Sequence, residues 1–218
     1  MGKNPQTFRV VTLHRHFYTP RMKFTTPFMK TKCVLLALAL SGLCQMVSAA
    51  EQPTALQLIK SANDYVGKDV KDQVVQIRSE KSVGALTPNI WYVVFYDRDA
   101  TFKTAEVKFG AGQKMDVRHP MRPPFSYINY KNVLDQKSIT VDSDKAIKIA
   151  TAEPLLSNLK IRATQLWLER KDGVDTWKVR LWAQKLRHPD SDADIGDVYI
   201  SADDGKVLRD DLHIDRVD

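Results

Sequence analysis

The segment WKVRLWAQK, residues 177–185, alternates between two kinds of side chain, and that period decides most of what the chain can fold into. Trp177, Val179, Leu181 and Ala183 fall on one side of an extended backbone, and Lys178, Arg180, Trp182 and Gln184 fall on the other. Successive side chains of a strand point to opposite faces, whereas a helix repeats every ~3.6 residues. The segment is therefore expected to be a strand with one face on a core and the other face open. Clean alternation of this kind is typical of antiparallel sheets, since parallel sheets are usually covered on both faces.

Further strand-like runs lie at residues 74–79, 89–97 and 104–109, the last turning through Gly110-Ala111-Gly112 and returning. Others lie at residues 160–170, 197–202 and 206–212, the last two joined by a turn at Asp203-Asp204-Gly205. Two segments have helical periodicity instead. Residues 54–66 place Leu56, Ile59, Ala62 and Val66 on one face, with Gly67 as a stop. In ITVDSDKAIKIATAEPLL, Asp142 or Ser143 serves as N-cap, Ala146, Ile149 and Ala150 form a stripe, and Pro154 ends the helix. Between the halves, Pro120, Pro123 and Pro124 mark residues 119–138 as a connector. The halves repeat in order: WYV at Trp91 answers WKV at Trp177, and EVKFGA at Glu106 answers DVYISA at Asp197. The expected fold class is α+β, with two tandem modules of helix plus antiparallel sheet at residues 51–118 and 139–218.

The net charge of +7 invites a nucleic-acid partner until its location is examined. Residues 1–50 hold seven basic residues and no acid, which leaves 26 basic and 26 acidic side chains in residues 51–218. The body is neutral, and its overall charge favours no polyanion. Residues 29–50 read as a signal peptide, with basic Lys30 and Lys32, the apolar run CVLLALALSGLC, and small residues before a cleavage point after Ala49 or Ala50. That run of 12 residues is short of the ~20 that span a bilayer, so no membrane span is expected after cleavage. Residues 1–28 read as an upstream extension, with Met29 as the start. A periplasmic or secreted location follows. Cys33 and Cys44 both lie in the signal, and Leu43 before Cys44 argues against lipidation. The exported part then has no disulfide and relies on its hydrophobic core.

ITVDSDKAIKIA followed by DVYISADDGKVL resembles the PepSY domain family, over roughly residues 139–212. The family pattern is a helix opening with an Ala-rich segment and a final hairpin with glycine in its turn. Residues 51–118 match it only in outline. Tandem helix-plus-sheet units are also similar in architecture to secreted beta-lactamase-inhibitor proteins. The resemblance implies a binding or inhibitory module, in some families a pro-region restraining a secreted peptidase.

Asp190, Asp192 and Asp194 before Gly196 have the outline of a calcium loop. In an EF-hand, however, the sixth residue is glycine and the twelfth is glutamate, and counting from Asp190 those places hold Ile195 and Ser201. A solvated acidic loop is the better reading, and no metal site is assigned. His14 and His16 precede the signal, while His119, His188 and His213 are isolated. No HExxH, nucleophile elbow, P-loop or dinucleotide fingerprint occurs, so neither enzymatic activity nor a cofactor is expected.

The open faces carry the candidate site. Taking Leu166 and Leu168 as inward leaves Trp167 and Glu169 outside, and Val198 and Ile200 inward leave Tyr199 outside. Trp167, Trp182 and Tyr199 then stand among Lys178 and Arg180, and Tyr92 and Tyr96 repeat the theme in the first half. Trp, Tyr and Arg dominate binding hot spots. The bland reading is that they stack as cross-strand pairs on a solvated sheet. The expected function is a non-catalytic exported protein-binding module, an inhibitor or regulator of a peptidase or other hydrolase. The alternative is a small-ligand or calcium-binding envelope protein.

Overall fold

Residues 52–121 and 129–218 are described by the structure, a computed structural model. The expectations for residues 1–28, for the signal at 29–50, for Cys33, Cys44, His14 and His16, and for Pro123 and Pro124 lie outside the described residues.

Eight strands form in chain order: β1 (Val74–Ser79), β2 (Ile90–Tyr96), β3 (Thr104–Gly110), β4 (Gln113–Arg118), β5 (Ile161–Lys171), β6 (Val174–Gln184), β7 (Asp192–Ser201) and β8 (Val207–Leu212). Helix α1 (Ala55–Ala62) precedes β1, and α2 (Ser143–Thr151) precedes β5. All eight strands belong to one sheet in the order β4-β3-β2-β1-β5-β6-β7-β8, every neighbour antiparallel. This corrects the expected pair of tandem helix-plus-sheet modules. The chain is mostly one continuous antiparallel sheet, accompanied by two short helices.

The physical reason lies at the seam. Two separate sheets would leave β1 and β5 as edges with unpaired backbone groups. Instead Gln76, Ile77 and Arg78 pair with Glu169, Leu168 and Trp167. Where β1 begins to diverge, serine hydroxyls take over as acceptors. Ser79 Oγ accepts the Leu166 amide at 2.9 Å, and Ser82 Oγ accepts the Thr164 amide at 2.9 Å. The Ser82 amide in turn donates to Thr164 O at 2.8 Å. Five of the six residues of β1 are buried, as suits a central strand.

One hydrophobic cluster holds the buried sides of α1 and α2 together with the inward side chains of the sheet. Trp91 and Trp177 anchor its two halves, each with its indole N–H satisfied, by Pro88 O at 2.9 Å and by Val141 O at 2.8 Å. The helix N-termini converge. The Asp142 carboxylate accepts the Leu56 amide at 3.1 Å and its own neighbour Ser143 at 2.6 Å, while Ser143 Oγ accepts the Ala55 amide at 3.0 Å. One carboxylate thus faces the positive ends of two helices. The buried stripe of α1 is Ala55, Leu58, Ile59 and Ala62, rotated from the expected one because the helix ends at Ala62 and Val66 follows a 3-10 turn. In α2, Ser143, Ala146, Ile147 and Ala150 are inward, and Ile149 is only partly buried. Among the described residues no helix is long and apolar enough to cross a membrane.

Candidate functional site

With both helices on one face, the other face of the sheet carries the residues that alternate away from the core. The register aligns one residue from each strand into a transverse row. From β4 to β8 it reads Asp116, Lys108, Tyr92, Arg78, Trp167, Lys178, Tyr199 and Arg209. From Lys108 to Arg209, aromatics and cations meet ring to charge. Arg78 Cζ lies 4.2 Å from the Tyr92 ring centre and Lys108 Nζ lies 5.2 Å from it. Lys178 Nζ is 4.8 Å from the Trp167 ring, and Arg209 Cζ is 4.3 Å from that of Tyr199. At an exposed site such a contact contributes roughly 0.5–1 kcal/mol, and the Tyr92 ring is buried at 7% exposure. Their joint effect is to hold long side chains in fixed places.

The next row combines polar and buried. Arg118, Glu106, Val94, Gln76 and Glu169 are successive register partners. Glu106 is only 1% exposed and is clamped from both sides. Arg118 donates to Oε1 through Nε at 2.9 Å and Nη2 at 2.7 Å, and Arg78 Nη2 donates to Oε2 at 2.6 Å. The Glu106 carboxylate holds the Arg118 guanidinium above its ordinary pKa. Gln76, 3% exposed, donates to Glu169 Oε2 at 2.9 Å. Arg78 therefore joins the two rows, stacked on Tyr92 and bonded to Glu106.

The sequence-derived residues fall as follows. Trp167, Lys178 and Tyr199 are consecutive in the transverse row, and Tyr92 joins it through Arg78. Trp182 is on the same face toward one end of β6, with Lys81 Nζ 4.8 Å and Arg180 Cζ 5.8 Å from its ring. Arg180 is bound to Asp194 Oδ2, through Nε at 2.9 Å and Nη2 at 2.5 Å, and this bond raises its pKa. Tyr96 shares the parity of Tyr92 but sits at the end of β2, opposite Thr104 and outside the row. Arg78, Lys108, Arg209, Glu106 and Arg118 were not foreseen. Their alternation was readable strand by strand, but which cation faces which ring depends on the register between strands.

The acidic motif is a bulge in β7. Leu181 pairs with Gly196 and Trp182 with Asp194, so Ile195 is the extra residue. Asp194 Oδ1 accepts the Gly196 amide at 3.1 Å, and Gly196 has φ +106. Burial pushes the Asp194 carboxyl up, but the Arg180 guanidinium and the Gly196 amide outweigh it and hold it below the usual range. Asp192, at the start of β7, lies 3.6 Å from Lys81 and 3.7 Å from Arg162. Asp190 is in the preceding turn. The two strand carboxylates therefore face cations of the protein itself. Among the described residues no group of three His, Cys, Asp or Glu side chains is placed to hold a metal. His119 Nε2 sits 3.1 Å from Asp97 and His213 Nε2 3.6 Å from Asp211, each against a single carboxylate near the surface.

Compared with known proteins, the chain matches no family model, no curated protein and no solved structure.

Proposed function

We propose that the chain is an exported, non-catalytic binding protein that presents the open sheet face to a protein partner, and that it acts as an inhibitor or regulator of a secreted or periplasmic peptidase or other hydrolase. The observation that carries this reading is the transverse row. Seven of its eight positions hold an aromatic or a cation, and each ring has a cation against it. A face already held in one arrangement loses little side-chain entropy on docking, and Trp, Tyr and Arg are the residues that most often dominate such contacts. The PepSY-like pattern of residues 139–212 supports the inhibitory role, and the signal-like residues 29–50 support export.

Capture from the native cell envelope tests it, with the purified protein beside its Trp167→Ala/Trp182→Ala variant. Both are first shown to be folded by circular dichroism. The native form should retain a specific partner that the variant loses, since removing hot-spot aromatics costs about 2 kcal/mol or more of binding. A partner held equally by both forms would place the interface elsewhere.

A further inference from the structure

The loop between β1 and β2 leaves the sheet at Ser79 and arches beside the first residues of β5. It is pinned at both ends of the arch: Ser82 exchanges two hydrogen bonds with Thr164, and Thr164 Oγ1 donates to Leu86 O at 2.6 Å. Between loop and strand lies a cavity of about 650 Å³, within the usual range of small-molecule sites. Its chemistry is two-sided. Leu86, Ile161 and Ala163 supply an apolar wall, and three cations, Lys81, Lys160 and Arg162, line the rest with one acid, Asp192.

Those charges are not neutralised. Asp192 is shared loosely by Lys81 at 3.6 Å and Arg162 at 3.7 Å, and Lys160 has no ion-pair partner among the described residues. The cavity therefore holds an excess of two positive charges beside an apolar surface, in a frame fixed by hydrogen bonds. Cations so placed attract an oxyanion, and an apolar wall favours a ligand with a hydrocarbon body behind it.

We propose that this cavity is a binding site for a small organic anion, with its carboxylate or phosphate head on Lys160 and Arg162, supported by Lys81, and its apolar body against Leu86, Ile161 and Ala163. Asp192 then acts as a built-in competitor, occupying Lys81 and Arg162 when the site is empty and yielding them to the ligand. The proposal rests on observations other than the transverse row, although Lys81 also lies 4.8 Å from the Trp182 ring. A protein that binds no partner could still fill this cavity.

Calorimetric titration of the purified chain tests it with four probes. Phenyl phosphate and benzoate carry both features and differ in head group, inorganic phosphate lacks the body, and phenol lacks the charge. Saturable binding is expected for phenyl phosphate, benzoate or both, and whichever binds names the head group. Inorganic phosphate and phenol should bind at least about tenfold more weakly. Lys160→Ala/Arg162→Gln should weaken the preferred probe about tenfold, as two partly exposed ion pairs contribute together. Lys178→Ala/Arg209→Ala, on the sheet face, should leave it unchanged. Asp192→Asn should tighten binding several-fold, a direction that a folding defect does not imitate. Saturable binding of neither organic anion would overturn the proposal. So would phenol binding as well as phenyl phosphate, or equal affinity in the Lys160→Ala/Arg162→Gln variant.

Discussion

Replacing Gly196 by alanine tests whether the acidic motif is a bulge that lets β8 approach β7. A Cβ at this position would lie 2.0 Å from Asp211 O and 3.1 Å from the carbon of the same carbonyl. Both are backbone atoms of β8, so no side chain can swing away to make room. Alanine would also have to adopt φ +106, a conformation L residues rarely tolerate, at a cost on the order of 1–3 kcal/mol. Restoring an ordinary contact of about 3.4 Å requires β8 to shift by more than an ångström, which exceeds the tolerance of its hydrogen bonds. The Gly196–Leu212 pairing and the bond from the His213 amide to Ile195 O at 2.8 Å would then go, at about 1 kcal/mol each. Together these give a loss of about 3–5 kcal/mol, a large part of the ~5–15 kcal/mol that holds a typical domain. Urea denaturation measures the loss, and amide exchange locates it in β8. A loss below about 1 kcal/mol with β8 amides as protected as in the native protein would refute the reasoning. Were the motif a calcium loop instead, the same substitution would act mainly on calcium-dependent stability.

Glu106→Gln leaves two guanidinium groups facing an amide in a buried place. Because Arg78 and Arg118 are partly exposed and can rehydrate, the expected loss is about 2–3 kcal/mol in urea denaturation rather than the larger figure for a fully buried pair. An unchanged midpoint would mean that Glu106 does not hold the face together. Asp175 should give a pH signature. Burial raises its carboxyl pKa, against the pull of the Asp135 amide and Arg170. Its contribution to stability is therefore fully present below the unfolded value near 3.8 and is lost as pH rises through the folded value. Asp194 has the opposite sign, with its contribution present above the unfolded value and lost as pH falls through the folded one. The stability of Asp175→Asn relative to the native protein should thus climb as pH rises from about 4, and parallel pH profiles would contradict this.

The faces of β5, β6 and β7 were legible because alternation is a local property: Leu166, Leu168, Trp177, Val179, Val198 and Ile200 are all inward. Trp91 and Trp177 were likewise visible as matching positions of the repeated order. Sheet membership was not legible. The repeated order of helix and strands is the same whether the halves form two sheets or one, and the choice is made by pairing between β1 and β5, some 90 residues apart along the chain. The same non-local step hid the site's cations. Arg78 is one of three polar residues in the six of β1, and only the seam places it between Tyr92 and Trp167. Asp190-x-Asp192-x-Asp194 shares its outline with a calcium loop for a related reason, since a bulge glycine and a calcium-loop glycine follow acidic residues alike. Ile195 and Ser201 already told against calcium in the sequence, and the Arg180, Lys81 and Arg162 side chains around the two strand carboxylates add to that.

The transverse row exists only if β1 and β5 are neighbours, so the most direct measurement is the set of nuclear Overhauser contacts between their backbones in solution. Contacts linking Gln76 with Glu169, Ile77 with Leu168 and Arg78 with Trp167, with slow exchange of the Leu166 and Thr164 amides, are the result expected of one sheet with one face. Contacts of β1 with β2 alone and of β5 with β6 alone, with those two amides exchanging freely, would divide the sheet at the seam and dissolve the row.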